Sequence, residues 1–284
     1  MSGKDEYYNR AKQEGYRARS AYKLQQLDDE AGLLGDGRTV IDLGAAPGGW
    51  LQVAAERVGA RGTVIGVDRQ RIDEIPVEKG NAPVETIRGD ITEASTVEEI
   101  LAAVGADVEE GDGGGAHVDG RDGGDSNVAG PVDVVLSDMA PNISGEYDLD
   151  HARSVHLVRE AFAVAEQVLA SGGDFCAKVF DGRDLADLVD ELEESFEYVR
   201  EVRPKASRDS SSELYLVGKG YLTAPVREGD TLTVEIVDVG GEGDGIAKVD
   251  GFTLFVGGAD EGDTVEVRVD DVKPNFGFAQ PIDS

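Results

Sequence analysis

Residues 40–52, Val-Ile-Asp-Leu-Gly-Ala-Ala-Pro-Gly-Gly-Trp-Leu-Gln, constrain the fold of this chain more than any other stretch. An apolar run leads into a glycine-rich turn, and the residues after the turn can begin a helix. Glycines let the backbone turn sharply and approach a ligand closely, and the first N–H groups of a helix bind anions. The stretch therefore predicts a nucleotide-type pocket between a strand and a helix. The pattern G-x-G-x-x-G is absent, and a tight connection without a ligand is the alternative.

Predicted strands and helices alternate along residues 40–218, which indicates an α/β fold with a mostly parallel sheet. Ligands of such sheets bind at the carboxyl ends of the strands, where three acidic residues are expected: Asp68, Asp90 and Asp138. Asp68 follows the glycine turn by about 20 residues, a spacing that suits a carboxylate binding the hydroxyls of a ribose. Asp90 is placed to meet a base edge, with a plain surface turn as the alternative.

The first 23 residues are basic although the whole chain is acidic. They hold six lysines and arginines against three acidic residues, whereas the full chain of 284 residues has a net charge of −31. Apolar residues at helical spacing predict one helix over residues 7–31 that ends at Gly32. Its basic residues form either a solvated face or a strip facing phosphates, with tyrosines available for stacking. These residues are Lys4, Arg10, Lys12, Arg17, Arg19 and Lys23, with Tyr7, Tyr8 and Tyr22.

One lysine lies within the apolar run of residues 174–180, the predicted fifth strand. Burying a charged lysine is costly, so Lys178 is expected to be neutral or paired, and a side chain that extends to the surface is the alternative. Cys176, on the same face of the strand, is predicted to be a core residue. It is the single cysteine of the chain, so no internal disulfide can form.

Two segments differ in composition from the rest. Residues 105–130 contain nine glycines, seven acidic residues and one arginine, and they are predicted to form an exposed, acidic, glycine-rich inserted loop. From residue 222, short strands with alternating apolar residues and glycine turns predict a small β-barrel. We therefore predict two domains, residues 1–221 and 222–284. Phe276 and Phe278 in the barrel are candidates for stacking on bases, with a core position as the alternative.

Acidic residues number 58 against 27 basic ones and are spread over the whole chain, which indicates adaptation to a very salty cytosol. Such a charge normally argues against nucleic acid as a partner, but residues 1–23 and 198–208 are locally basic. No apolar run reaches the length of a membrane helix and no apolar leader is present, so we expect a cytoplasmic protein without membrane contact. The three histidines and one cysteine form no metal-binding pattern.

Four motifs resemble those of a known family: Asp-Leu-Gly-Ala-Ala-Pro-Gly-Gly-Trp, Ser-Asp-Met-Ala-Pro-Asn-Ile-Ser-Gly, Lys-Val-Phe and Ser-Glu-Leu-Tyr-Leu-Val. They are similar to the FtsJ/RrmJ family of S-adenosylmethionine-dependent ribose 2′-O-methyltransferases of large-subunit ribosomal RNA. Residues 222–281 resemble a TRAM domain. The resemblance implies a Rossmann-like methyltransferase sheet and a uridine of the ribosomal A loop as target, in free RNA or in the assembled subunit. It implies cofactor contacts at Gly48, Trp50, Asp68, Asp90 and Asp138, and catalytic residues Lys23, Asp138, Lys178 and Glu213.

The chemistry of such a transfer fits these residues. A ribose hydroxyl is a weak nucleophile and loses its proton as it attacks a methyl group, so a positioned base helps. Lys178 can be that base only when it is neutral. Burial and the charge of Lys23 favour the neutral form, whereas Asp138 and Glu213 favour the charged form. Lys178 is therefore either the base or a positioning group.

Other functions agree with parts of the sequence. Methyltransferases that act on a base nitrogen commonly place an aromatic residue after an Asp-Pro or Asn-Pro pair, and residues 138–141, Asp-Met-Ala-Pro, contain none. A non-catalytic RNA-binding protein of ribosome assembly would not need a lysine inside a strand. A 2′-O-methyltransferase of another RNA shares every feature above and stays open.

Overall fold

The structure of the protein is a computed structural model that describes residues 3–76, 78–105, 130–207, 212–241 and 243–282. Its α-helices are α1 (Gly3–Glu14), α2 (Ala21–Ala31), α3 (Gly49–Val58), α4 (Ala94–Ala103), α5 (Tyr147–Val168) and α6 (Leu185–Glu193). The predicted inserted loop lies outside the described residues except at its two ends. Within the described ranges, no helix combines the length and the apolar character needed to cross a membrane.

The strands of the first part of the chain are β1 (Thr39–Leu43), β2 (Thr63–Asp68), β3 (Val84–Arg88), β4 (Val132–Ser137), β5 (Leu169–Phe180), β6 (Phe196–Val202) and β7 (Glu213–Tyr221). They form one sheet in the order β3-β2-β1-β4-β5-β7-β6. Neighbours among β1 to β5 are parallel, and β7 is antiparallel to β5 and β6. The predicted α/β fold with a mostly parallel sheet is confirmed.

Two apolar cores cover the two faces of this sheet. Side chains alternate between faces along each strand, so α2 and α3 pack on one face and α4, α5 and α6 on the other. Cys176 is fully buried in the core under α2 and α3, as predicted. Lys178 follows it on the same face and is paired in register with Tyr215 of β7. The polar residues discussed below therefore share the face that α2 covers.

The N-terminal segment departs from its prediction. The single helix expected over residues 7–31 is wrong, because α1 and α2 are separated by residues 15–20. Gly15 has a φ of 83°, a left-handed conformation that ends helices, and the N–H of Tyr16 donates to the carbonyl of Ala11 at 2.8 Å. The predicted stop at Gly32 is confirmed, since its φ is 60° and its N–H donates to the carbonyl of Asp28. The basic residues at 17 and 19 consequently lie in a loop.

The C-terminal strands are β8 (Thr231–Val239), β9 (Gly245–Val249), β10 (Phe252–Val256), β11 (Thr264–Val272) and β12 (Phe276–Pro281). They form a closed barrel in the order β10-β12-β11-β8-β9, which confirms the predicted small β-barrel. β12, which the sequence pattern did not indicate, closes it by pairing with β10 and β11. We propose that the domain boundary lies between residues 221 and 222, in the connection from β7 to β8.

The barrel contacts the sheet at the start of β5. The Ser171 hydroxyl donates to the carbonyl of Pro274 at 2.6 Å, and the Thr223 hydroxyl donates to Ser171 Oγ at 3.1 Å. Residues 171–173 belong to β5, which begins at Leu169. Because β5 runs parallel to β4, its start lies at the end of the sheet opposite the carboxyl ends of the parallel strands.

Candidate active site

Two concave pockets adjoin at the carboxyl ends of the parallel strands. The larger one, which we call the groove, has a volume of about 1050 Å³ and is lined by residues that follow β1 to β4, among them Gly44, Asp68, Asp90 and Asp138. The smaller one, which we call the small pocket, has a volume of about 480 Å³, and its lining includes Arg19, Tyr147, Asp150, Lys178 and Glu213. Ala140 lines both pockets. The two pockets therefore meet beside the end of β4, at the edge where a ligand was predicted.

The glycine turn after β1 forms one wall of the groove. Gly44 has a φ of 80°, and a Cβ atom at this position would lie 2.5 Å from Cγ of Met139. A side chain here would meet both an unfavourable backbone conformation and the residue that follows Asp138. Glycine therefore lets the turn after β1 approach the end of β4, which brings the backbone of the turn to the groove.

The carboxylates of Asp68 and Asp90 are held in place at the groove. Asp68 accepts hydrogen bonds from the N–H groups of Ala46 at 2.9 Å and Gln70 at 2.7 Å. Asp90 accepts from the N–H of Thr92 at 3.2 Å and from its hydroxyl at 2.9 Å, and these bonds lower the pKa of Asp90. A carboxylate has about four lone-pair sites, so each retains capacity to bind a ligand hydroxyl or amine.

Gly48 and Trp50 lie behind the groove and do not line it. Gly48 precedes α3 with a φ of 104°. Trp50 is buried, its indole N–H donates to the carbonyl of Ser20 at 2.8 Å, and its ring centre lies 5.8 Å from that of Tyr215. The contacts of both residues are those of packing. Their predicted contact with a cofactor stays a prediction.

The four predicted catalytic residues form two ion pairs. Lys178 Nζ lies 2.9 Å from Asp138 Oδ1 and also donates to the Asp138 carbonyl. Lys23 Nζ lies 2.5 Å from Glu213 Oε1, and the Ser207 hydroxyl donates to the same oxygen at 2.6 Å. Both lysines are buried, so Lys178 is paired and does not extend to the surface. Lys178 lines the small pocket and Asp138 lines the groove, so their contact lies where the two pockets meet.

Tyr215 links the two ion pairs and was missed by sequence reasoning. Its hydroxyl donates to Asp138 Oδ1 at 2.7 Å, and Lys23 Nζ lies 5.9 Å from the centre of its ring. The side chain is fully buried beside Trp50. A signal was present in the sequence, because Tyr215 follows Glu213 by two residues on a predicted strand and so shares its face.

Buried carboxyl groups behave in two ways at this site. Burial acts to raise the pKa of Asp138, but the charges of Lys178 and Lys23 and the hydrogen bonds from Lys178 and Tyr215 outweigh it and lower that pKa. Asp42, at the end of β1, is also fully buried, and neither of its carboxyl oxygens has a hydrogen-bond partner among the described residues. Burial, reinforced by Asp138 and Asp68, raises the pKa of Asp42 well above its usual value.

One wall of the small pocket is a loop held by a buried acid. Asp150 accepts hydrogen bonds from the N–H and hydroxyl of Ser144, at 2.9 and 2.8 Å, and from the N–H of Gly145 at 3.0 Å. These bonds lower the pKa of Asp150. Tyr147 is exposed at the pocket, and its hydroxyl donates to the carbonyl of Asp181 at 2.7 Å. Ser144 and Gly145 end the motif of residues 137–145, whereas no sequence pattern singled out Asp150 or Tyr147.

The tyrosines near the N-terminus do not all remain available for stacking on bases. Tyr22 is buried, its hydroxyl donates to Glu14 at 2.8 Å, and the guanidinium of Arg10 lies 4.8 Å from its ring centre. The prediction is therefore wrong for Tyr22. Tyr8 is exposed.

The strand order, the glycine turn after β1 and the carboxylates at the ends of β2, β3 and β4 define an α/β sheet with a ligand site at its carboxyl edge. The family model described as FtsJ-like methyltransferase matches residues 16–221, and the model of the TRAM domain matches residues 225–282. The chain belongs to the FtsJ-like methyltransferase family, as its motifs predicted.

Relatives of known name match along nearly the whole chain. A protein of Haloarcula marismortui named ribosomal RNA large subunit methyltransferase E is 66% identical over 283 residues, which cover 100% of both chains. A protein of that name from Methanosarcina mazei is 44% identical and covers 97% of this chain and 91% of its own. The crystal structure of a Plasmodium falciparum protein described as a ribosomal RNA methyltransferase has a TM-score of 0.56 at 27% identity, covering 72% of this chain and 98% of that one. The predicted salt-adapted source fits the relatives from halophilic archaea, such as that of Haloarcula marismortui.

Proposed function

We propose that this protein transfers a methyl group from S-adenosylmethionine to the 2′-hydroxyl of a uridine ribose in large-subunit (23S) ribosomal RNA. The contact between Lys178 and Asp138 carries this proposal. It joins a pocket with the shape and acids of a nucleoside site to a second pocket that can admit an acceptor. Relatives of this chain are named for methylation of large-subunit ribosomal RNA, which supports the choice of RNA.

The residues of the groove fit S-adenosylmethionine, on which enzymes of this family depend. The Gly44 turn leaves backbone within reach of a ligand, and the fixed carboxylates of Asp68 and Asp90 suit a ribose diol and an adenine amine. Asp138 also lines the groove and joins the set that we assign to cofactor binding, whereas contacts of the cofactor with Gly48 and Trp50, which lie behind the groove, stay predictions. When bound, S-adenosylmethionine supplies an electrophilic methyl group on a sulfonium. No cluster of potential metal ligands occurs among the described residues, and transfer without a metal stays a prediction.

The ion pairs would hold the acceptor hydroxyl in line for attack. As the 2′-oxygen forms its bond to the methyl carbon, the carbon–sulfur bond breaks and the hydroxyl proton must leave. Lys178 Nζ is fixed by Asp138 and faces the small pocket, so it can bind the attacking oxygen. Glu213 lines the same pocket with its charge balanced by Lys23, and Tyr215 keeps the Asp138 carboxylate oriented.

Lys178 has two possible roles in that step. A neutral amine would accept the hydroxyl proton, whereas an ammonium would position the oxygen and stabilise its developing negative charge. A pH profile of kcat with a rising limb controlled by Lys178 supports the base, and a profile that is flat in the neutral range supports the positioning role.

The direct test uses unmethylated large-subunit ribosomal RNA and S-adenosylmethionine labelled in its methyl group. After nuclease digestion, mass spectrometry of the nucleosides separates a methyl group on the ribose from one on the base. We expect 2′-O-methyluridine at a single position, and no product with Lys178→Ala. A methylated base would contradict the proposed reaction, and product from another RNA alone would contradict the proposed substrate. Running the reaction with free RNA and with isolated subunits identifies which form is the substrate.

A further inference from the structure

We propose that the guanidinium of Arg19 binds a backbone phosphate next to the target ribose and thereby anchors the acceptor nucleotide in the small pocket. The inference rests on the proposed function, since it assumes that a nucleotide of RNA occupies this pocket. It gives a specific task to one residue of the basic N-terminal segment, whose role the reaction itself does not explain.

One cation that lines the small pocket has no ionic partner among the described residues. The charged residues that line the pocket are Arg19, Asp150, Lys178 and Glu213. Lys178 is paired with Asp138, Glu213 is paired with Lys23, and the Asp150 oxygens accept three hydrogen bonds from its neighbouring loop. Arg19 is half-buried, and its side chain has neither a hydrogen bond nor an ion pair within the described part of the chain. The N–H groups of the Arg19 guanidinium are therefore free to bind a ligand, and an anionic ligand would form the strongest hydrogen bonds with them.

The loop that carries Arg19 is fixed on both sides. The Gln52 side chain accepts from the N–H of Arg17 at 2.8 Å and donates to the carbonyl of Gly15 at 3.0 Å. On the other side, the carbonyl of Ser20 accepts the indole N–H of Trp50 at 2.8 Å. These contacts to α3 hold the backbone at position 19. Because the backbone is already fixed, binding of a ligand by Arg19 does not have to order the loop.

Arg17, in the same loop, differs from Arg19 because its side chain has a structural role. Its guanidinium donates to the carbonyls of Pro47 and Asp73, and also to that of Glu74. Arg17 therefore ties the loop to the turn after β1, whereas Arg19 makes no such bond. The two arginines lie two residues apart, so the difference arises from what surrounds them and not from the composition of the segment.

Phosphate is the anion that suits this position. A guanidinium offers paired N–H groups that match two phosphate oxygens, and each nucleotide of an RNA carries one such group beside its ribose. A half-buried contact is also screened less by salt than an exposed one, which matters for a chain with a net charge of −31. One local cation can therefore bind phosphate although the whole protein repels RNA at long range.

Steady-state kinetics with unmethylated large-subunit ribosomal RNA test the proposal on Arg19→Gln and Arg19→Lys. Arg61→Gln is the matched control, because Arg61 is an exposed arginine between α3 and β2, away from both pockets. We expect Arg19→Gln to raise KM for RNA about ten-fold, with kcat and KM for S-adenosylmethionine within two-fold, about the loss of one charged contact. Arg19→Lys should have a KM for RNA between those of the wild type and Arg19→Gln, since lysine keeps the charge but lacks the paired N–H groups of a guanidinium.

Filter binding of the same RNA at several KCl concentrations gives an independent readout. The slope of log K against log salt concentration should become less steep by about one in Arg19→Gln and stay unchanged in Arg61→Gln. Unchanged KM and slope in Arg19→Gln, or equal changes in the control, overturn the inference while the proposed function stands. A loss of kcat alone also overturns it, because Arg19 would then act in the chemistry. An inactive wild-type enzyme would overturn the proposed function itself.

Discussion

Two lysine–aspartate pairs lie on one face of the sheet, at opposite ends of β5. We expect the two pairs to have different roles. At the carboxyl end of β5, Lys178 pairs with Asp138 at 2.9 Å. Near its start, Asp174 pairs with Lys219 of β7 at 2.7 Å and with Arg38 at 2.8 Å. The first pair faces the groove and the small pocket, whereas neither Asp174 nor Lys219 lines either of these two pockets.

The difference between the pairs lies in their surroundings. Asp174 is almost fully buried, and it accepts from two cations and from the N–H of Gly220 at 3.4 Å. Lys219 also donates to the carbonyl of Gly32 at 3.1 Å. This network binds the segment before β1 to the sheet and leaves nothing for a ligand. A buried lysine within a strand is thus not by itself a sign of catalysis, and the adjoining pockets are the reason that we propose a catalytic role for Lys178.

The largest expected effect separates the two lysines. Lys178→Ala should lower kcat by a factor of about 10²–10⁴, because the acceptor hydroxyl loses the group that binds it. Its affinity for S-adenosylmethionine, measured by calorimetry, should stay within a few-fold. Lys219→Ala is the matched control and should keep kcat in the folded enzyme. Wild-type turnover by Lys178→Ala would remove that residue from the reaction.

The second prediction concerns the pair at the start of β5. Asp174→Asn removes the charge that Lys219 and Arg38 share, and leaving buried cations unpaired costs about 3–5 kcal/mol. We therefore expect a lower midpoint of denaturant unfolding. Under conditions in which the variant is folded, its kcat should stay near the wild-type value. If Asp174→Asn lowers kcat as much as Lys178→Ala does, the two ends of the sheet are coupled, and the proposed difference between the two pairs is wrong.

The third prediction tests whether the carboxyl end of the sheet has separate sites for the methyl donor and for the acceptor RNA. Asp68→Ala should weaken S-adenosylmethionine binding by about 1.5–3 kcal/mol, the loss expected when hydrogen bonds to a charged group are removed. The KM for RNA should stay unchanged, because Asp68 lines the groove and not the small pocket. Glu85→Ala serves as the control for removing an acid, because Glu85 is exposed near the start of β3 and does not line the groove. Unaltered cofactor affinity in Asp68→Ala would exclude it from the binding site.

Much of this arrangement could be read from the sequence, and the reasons are local. The apolar runs of β1, β2 and β4, each ending at an acid, predict both the strands and the edge at which Asp68 and Asp138 meet. Lys178 was expected to be neutral or paired, and pairing is found. The barrel followed from period-two alternation and glycine turns.

The rest depended on information that no local pattern carries. Gly15 interrupts a segment with helical spacing, and a single glycine inside such a segment is often tolerated. The sequence places Tyr215 on the same strand face as Glu213, but its contact with Asp138 depends on the register of β5 and β7, which sets it beside Lys178. Lys219 lies in the last part of β7, beyond the predicted strand end, so the second lysine–aspartate pair could not be foreseen.

A fourth prediction contrasts the two buried acids beside each other, Asp42 and Asp138. The folded-state pKa of Asp42 is raised, so its contribution to stability is present at acidic pH and is lost as pH rises through that pKa. Asp42→Asn cannot ionise, so the variant should gain stability relative to wild type as pH rises, by about 1.4 kcal/mol per unit of raised pKa. Asp138 has a lowered pKa, so its own contribution is lost only as pH falls through that low value. Parallel stability curves for wild type and Asp42→Asn would contradict a raised pKa.

The smallest expected effect concerns the barrel, which meets the sheet at Ser171, seven residues before Lys178 on β5. At about 3.3 Å per residue, that separation is roughly 23 Å, so an RNA that contacts both must extend well beyond the target nucleotide. Residues 223–284 carry 14 acidic and four basic residues, which excludes long-range attraction. Phe276 and Phe278, however, are 37% and 42% exposed and form a cluster with Phe255.

Stacking on these rings is therefore the contact that the barrel can offer, and each stacked base contributes about 1–3 kcal/mol. We expect Phe276→Ala combined with Phe278→Ala to raise KM about five-fold for full-length ribosomal RNA, the lower end of that range, with kcat and KM for S-adenosylmethionine unchanged. A short oligonucleotide around the target should show no difference, because it cannot reach the barrel. Val237→Ala, an exposed apolar residue of β8 outside the aromatic cluster, is the control. Unaltered KM for the long RNA would mean that the barrel stabilises the sheet or binds another partner.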